Sequence, residues 1–280
     1  MPVILGTGGY RYEVVDQWAK LPPGREFNAD VAAVGVDGQD RVYAFNRGQH
    51  PMVVFDRDGN FLRSWGEGVF RRAHGVDAVA DLFIRDITQG IGTSGVKAAI
   101  IKCATDTAGV TPVIENVLRA SARAQKATGV PISTHTWAAG RTGEMQQAIF
   151  AQEGIDLSRV IIGHSGDSED LGYLRGLMER GSTIGMDRFG LEHFLPTAKR
   201  VEVLARLCAE GYAGKMVLSH DVNCWSDMLS EEAKRRVRPL WHYNHISDDI
   251  LPALRKAGVK DDQIERMLVT NPRAIFEGRL

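Results

Sequence analysis

Four residues, Lys102, His135, His164 and Asp221, each follow a short apolar run, and each is a type that sits badly inside a sheet. Lys102 follows Ala98-Ala99-Ile100-Ile101, and His135 follows Ile132-Ser133-Thr134. His164 follows Ile161-Ile162-Gly163, and Asp221 follows Leu218-Ser219-His220. Asp187 and Arg188 stand in the same relation to Ile184-Gly185-Met186. The intervals between the four are close to one, one and two βα units of about 30 residues. That spacing places them on one rim of a barrel, at C-terminal strand ends, where barrel enzymes keep their chemistry. Two neutral imidazoles and a carboxylate suit Zn²⁺ or a similar first-row ion. A lysine fits beside a cation if burial and the metal depress its pKa, so that the free amine takes up CO₂. The carbamate so formed is a bidentate anion able to bridge two metals. Water on such metals, its pKa lowered to about 7, is a nucleophile for a carbonyl or phosphoryl centre.

Taken singly, each residue has a plainer reading. A histidine or aspartate at a strand end is more often structural or solvated than a ligand, and a lysine there can snorkel to water. Their joint register is what favours a metal site.

The elements that must carry these residues change character along the chain. Val31–Val36, Val42–Asn46, Met52–Phe55 and Phe61–Trp65 are short β-branched or aromatic runs. Asp37-Gly38, Arg47-Gly48 and Asp58-Gly59 between them are turn chemistry, which predicts an antiparallel meander. From Val96 onward, apolar runs (Ala98–Ile101, Val130–Thr134, Val160–Gly163, Ser182–Met186, Lys215–Ser219) alternate with amphipathic segments. Pro112–Thr128 carries Val113, Val117, Leu118 and Ala124 on one predicted helical face, with Thr111 as N-cap. Asp167 reads as the cap of a helix bearing Leu171, Leu174, Leu177 and Met178. Alternation of this kind implies βαβ crossovers and a parallel sheet buried on both faces. The boundary falls between Gly75 and Leu82, giving domains 1–76 and 77–280.

Composition narrows the classes. A net charge of −1 leaves no electrostatic footprint for nucleic acid or an acidic membrane. The basic run Lys234–Arg238 reads as a solvated helix face. Cys103, Cys208 and Cys224 are scattered and odd in number, which argues against a disulfide framework and suits a cytoplasmic protein. No signal-peptide pattern or membrane-length apolar run is visible.

The strand-end motifs carry a family resemblance. Ile100-Ile101-Lys102, Gly129-Val130-Pro131-Ile132-Ser133-Thr134-His135-Thr136 and Ile162-Gly163-His164-Ser165-Gly166-Asp167 resemble the fourth to sixth strands of the phosphotriesterase family. Gly185-Met186-Asp187-Arg188-Phe189-Gly190 is similar to the seventh strand of its lactonase-like branch. Leu218-Ser219-His220-Asp221 resembles the eighth strand and Thr270-Asn271-Pro272-Arg273 the final helix, so the likeness runs from about Asp77 to Phe276. It implies a metal-dependent hydrolase of the amidohydrolase superfamily, built on part of a (β/α)₈ barrel and acting on a lactone, ester or organophosphate through a metal-bound hydroxide. Lys102 would be the carbamylated bridging ligand of a binuclear zinc-type centre, and His135 and His164 would hold its more exposed ion. Asp221 would bind the buried ion and take the proton. Arg188, Phe189 and Trp225 would touch substrate, with 189–196 and 222–229 as specificity loops; Trp225 reads equally well as a loop-packing aromatic. His193, His242 and His245 match no ligand of the family. His220 precedes the ligand Asp and faces the other way along its strand.

The chain also departs from the family pattern. It contains no His-x-His, the motif of the family's first strand, and the first three barrel strands have no counterpart. In their place Val53-Val54-Phe55-Asp56-Arg57-Asp58-Gly59-Asn60-Phe61 and Ser64-Trp65-Gly66 resemble an NHL-repeat blade, and Ala73-His74-Gly75-Val76 resembles the start of another. A barrel short of three strands leaves two unpaired edges, which a second copy of the chain, as a homodimer, is one way to cover. Two further functions follow from the departure: an impaired remnant binding at most one metal, or an NHL-type interaction module.

Overall fold

The computed structural model describes residues 4–7, 10–13, 15, 17–24, 27, 31–46, 50, 52–65, 76–223 and 230–278. The expected turn at Arg47-Gly48, together with Gly66, Ala73 to Gly75, Cys224 and Trp225, lies outside the described residues. By its internal contacts the chain divides into two units, Met1–Ala78 and Val79–Leu280.

In the first unit, β1 (Ile4–Thr7) and β2 (Tyr10–Glu13) form an antiparallel hairpin. The predicted meander follows: β3 (Val31–Val36), β4 (Val42–Asn46), β5 (Met52–Phe55) and β6 (Phe61–Trp65) pair in chain order, all antiparallel. Aspartates close its turns. Asp37 Oδ1 accepts from the amides of Gln39 and Arg41, and Asp56 Oδ1 from those of Asp58 and Asn60. Gly59 takes φ +80°, and a Cβ there would lie 1.9 Å from the Trp18 carbonyl oxygen, so glycine is required. Ala44, Val53 and Phe55 make a small core, with Trp18 against Phe55 at 5.5 Å between ring centroids.

The helix α1 (Val76–Thr88) crosses the boundary, and all but its first three residues belong to the second unit. After it come β7 (Ile101–Ala104), α2 (Pro112–Thr128), β8 (Ile132–His135), α3 (Thr142–Gln152) and β9 (Val160–Ile162). Then follow α4 (Leu171–Glu179), β10 (Thr183–Met186), α5 (Thr197–Ala209) and β11 (Met216–Leu218). The helices α6 (Glu231–Val237), α7 (Leu251–Lys256), α8 (Asp261–Glu265) and α9 (Asn271–Glu277) complete it. The strands pair in parallel in the order β11-β10-β9-β8-β7, which is a run of neighbouring barrel strands with β7 and β11 at its edges. Its core is built as the alternation implies: Ile132, Ile162, Ile184 and Met216 from the strands, Leu118, Phe150, Leu174, Leu177 and Leu204 from the helices, each at 0% exposure.

Capping explains where the helices begin. Thr111 Oγ1 accepts from the Ile114 amide, Pro112 fills the first turn, and Gly129 at φ +75° ends α2. Two local expectations fail here. Val113 projects from that first turn at 67% exposure, while Leu118, Ala122 and Ala124 make the packed face. The cap of α4 is Asp170, whose Oδ1 accepts from the Tyr173 amide; Asp167 sits in the preceding 3₁₀ turn with its carboxylate engaged by two arginines. The basic run of α6 is solvated apart from Lys234, which is buried and donates to the Asn223 carbonyl. In the final-helix motif Asn271 is structural, since its Nδ2 donates to the carbonyls of Ala213 and Met216 and ties α9 to the start of β11.

Cys103 and Cys208 are free and buried, and burial pushes their thiols up to about 12 and about 11. Among the described residues, no helix is long and apolar enough to cross a membrane.

Candidate active site

Parallel register brings the predicted rim together. Lys102 of β7 lies opposite Ser133, and Ala104 opposite His135. On β7, Ile101 and Cys103 are buried under the helices while Lys102 and Ala104, on the other face, are exposed; among the described residues β7 is an edge strand. Lys102 Nζ donates to the Thr134 carbonyl at 3.0 Å, which aims the side chain along the rim toward His135.

His135 and His164 meet edge to face, with ring centroids 4.4 Å apart. Burial pushes the His135 imidazole below its ordinary pKa, and the charges of His164, Arg188 and Lys102 act in the same direction, opposed by Asp106. The ring is thus biased toward the neutral form that binds metals. His164, 4% exposed, leaves β9 at φ +60°. Its amide donates to both oxygens of Asp187 (2.9 and 3.1 Å), and its Nδ1 lies 3.0 Å from Asp187 Oδ1. Burial works to raise the Asp187 carboxyl, but hydrogen bonding and charge from His164 outweigh it and hold the group below the usual carboxylate range. An ionised Asp187 fixes the tautomer with the proton on Nδ1 and leaves Nε2 as the donor atom. Gly163 and Gly185 make room for this pairing, since a Cβ at Gly185 would stand 2.3 Å from Asp187 Oδ2 and one at Gly163 would strike the Thr134 carbonyl at 2.1 Å.

Arg188 links the other rim groups. Its Nη1 is 3.0 Å from Asp167 Oδ2, its Nε 3.3 Å from Asp221 Oδ2, and its guanidinium lies over the Phe194 ring at 4.6 Å. Asp221 is reached by a turn from β11 at φ +56°. Beside these groups opens a cleft of about 280 Å³ lined by Asp106, His135, Trp137, Arg188, His193 and Phe194.

Of the sequence-predicted residues, His135, His164 and Arg188 gather here, with Lys102 on the adjoining strand. Asp221 pairs with Arg188. Among the described residues, one group of three His, Cys, Asp or Glu brings its ligand atoms within 4.8 Å of one another, and it is His242, His245 and Asp249, a set that does not include His135 or His164. Phe189 is not a pocket wall: at 1% exposure it belongs to the barrel core, and Phe194 faces the cleft instead. Sequence alone assigns Asp187 no role, although a carboxylate one strand beyond a histidine at the same rim is the signal for one. Trp137 and His193 are likewise cleft residues that sequence reasoning does not single out. His220 accepts from the Val222 amide through Nδ1 and packs edge-on against Tyr243.

A sequence model described as the phosphotriesterase family matches residues 58–276. The match begins inside the meander, upstream of the boundary read from sequence. A solved phosphotriesterase from Mycobacterium tuberculosis is 56% identical and superposes with a TM-score of 0.70, covering 71% of this chain and 61% of that one. An aryldialkylphosphatase of Saccharolobus solfataricus is 41% identical over 203 residues, which is 72% of this chain and 65% of that protein. A mutant PTE-like lactonase from Deinococcus radiodurans is 36% identical with a TM-score of 0.66, covering 72% of this chain and 64% of that one. The chain thus spans less than two thirds of the length of these relatives.

Proposed function

Because the chain belongs to the phosphotriesterase family, we propose that its second unit is a metal-dependent hydrolase of a lactone, another carboxylic ester or an organophosphate triester. The observation that carries this reading is the His135–His164 pair at 4.4 Å, with His164 fixed by Asp187, at the mouth of the cleft. An imidazole biased neutral and a second one whose Nδ1 is already engaged are the donor set that a zinc-type ion takes. His135, His164 and Lys102 (the last as its carbamate) would hold such an ion, with Asp221 as the carboxylate ligand of the rim. Bound there, it would supply Lewis acidity and lower the pKa of water to about 7.

The chain's own groups then divide the work. Arg188, stacked on Phe194 and lining the cleft, can donate to the carbonyl or phosphoryl oxygen as charge develops on it. Asp221 Oδ2 can accept the proton of the attacking water, and Arg188 beside it stabilises the carboxylate between turnovers. Trp137 and Phe194 offer apolar walls for the alkyl or aryl part of a substrate. The names of the relatives favour two substrate classes, aryl dialkyl phosphates and lactones. A panel of both, with protein reconstituted in zinc and bicarbonate, should show turnover above buffer for at least one class; rates equal to buffer throughout would reject the hydrolase reading.

One observation favours the remnant reading as second choice. Lys102 is exposed, and no His-x-His is present to complete a second ion's ligands. On that reading one ion binds and turnover is weak or absent.

Asp187→Asn keeps the shape of the side chain and removes the charge that orders His164. Zinc binding at the barrel mouth should weaken about 10- to 100-fold, read by calorimetric titration. Unaltered affinity would show that Asp187 serves the backbone turn alone.

A further inference from the structure

We propose that His242, His245 and Asp249 form a second divalent-metal site, of the zinc class, outside the barrel-mouth set. The three occur as His-x-x-His-x-x-x-Asp in one turn-and-helix segment, so successive members are about one turn apart and share a face. Each offers one ligand atom, and the three atoms lie within 4.8 Å of one another, close enough for a single ion to join them. The His245 amide donates to the His242 carbonyl, which closes the turn between the two histidines. Ile246 and Ile250 are buried below it, and Trp241 Nε1 donates to the His220 carbonyl, so the segment is anchored from both sides.

The His245 side chain is 1% exposed, and its Nδ1 lies 2.8 Å from Asp249 Oδ2. An ion would replace this hydrogen bond: it takes the Nδ1 side of the ring, which faces Asp249, and His242 offers the third ligand atom. A helical His–Asp pair alone gives His242 no part. Two imidazoles and one carboxylate match the ligand types of zinc sites with three protein ligands and one position left for water.

The test uses the full chain, stripped with a chelator and titrated with Zn²⁺ by calorimetry. Four proteins are compared: wild type, His242→Ala, Asp249→Asn and His135→Ala. Asp249 is 53% exposed, and Asp249→Asn keeps the side chain's shape, so this variant should keep the fold; circular dichroism checks both it and His242→Ala. The site predicts that His242→Ala and Asp249→Asn each lose one zinc equivalent or bind it at least about tenfold more weakly, whereas His135→Ala retains that equivalent. Zinc should also raise the thermal midpoint of His135→Ala and not that of the double variant His135→Ala/His242→Ala. Isotherms for His242→Ala and Asp249→Asn that match wild type would overturn the assignment. So would a wild type that binds no zinc beyond what His135→Ala removes.

Discussion

Lys102→Ala and Asp221→Ala should each lower hydrolysis of the preferred ester or lactone about a thousandfold or more. The magnitude follows from the several kcal/mol of transition-state charge stabilisation that a Lewis-acid site supplies, at about 1.4 kcal/mol per tenfold in rate. Lys102 is the residue of the rim that could add an anionic ligand beside the two imidazoles, and its Nζ is already directed along the strand ends by the Thr134 carbonyl. Asp221 is the rim carboxylate next to Arg188 and the proposed acceptor of the proton of the attacking water. Both variants should also lower metal content, because both side chains are proposed ligands, and Asp221→Ala removes the proton acceptor as well. Steady-state rates with metal analysis of the same samples decide it; rates equal to wild type in both variants would refute the assignment.

Arg200→Ala should destabilise the second unit by about 3–5 kcal/mol, the range for breaking a buried, hydrogen-bonded ion pair from one side. Arg200 is 1% exposed, and its guanidinium spends its donors on main-chain oxygens. Nε donates to Leu195, Nη1 to Gly166 and Nη2 to Leu191, while Nη2 lies 2.7 Å from Asp167 Oδ1. Alanine leaves those carbonyls and one carboxylate oxygen unanswered in a dry interior. It also frees the 189–196 loop that carries Phe194 to the cleft. Urea denaturation should show the loss, and Arg200→Lys should recover only part of it, since an ammonium cannot reach several carbonyls in one plane. A midpoint within error of wild type for Arg200→Ala would contradict the role.

The framework is legible in the sequence because its signals are local. Alternating apolar runs and amphipathic segments mark the parallel strands, Asp-Gly pairs mark the meander turns, and Thr111-Pro112 marks the start of α2. Spacing by βα units puts His135 and His164 on one rim, where they touch. What stays hidden depends on partners remote in the chain. Nothing beside Arg200 in the sequence marks it out, and only the fold brings Gly166 and Asp167 to it. Asp167 reads as a cap because nothing in its neighbourhood announces two arginines from later elements. The family resemblance assigns Phe189 to substrate, yet it turns into the core, and the cleft receives Phe194 from further along the loop. Lys102 is exposed because, among the described residues, β7 is an edge strand of its sheet.

The proposed ester hydrolysis at the barrel mouth, by a metal held on this chain's own rim residues, requires activity to come and go with that metal. Turnover of the preferred lactone or phosphotriester is therefore followed through removal of metal by a chelator and readdition of zinc with bicarbonate. The rate should fall to that of buffer on chelation and return on reloading in wild type and His242→Ala, but not in His135→Ala. A rate indifferent to chelation, or restored equally in His135→Ala, would contradict a metal centre built on His135.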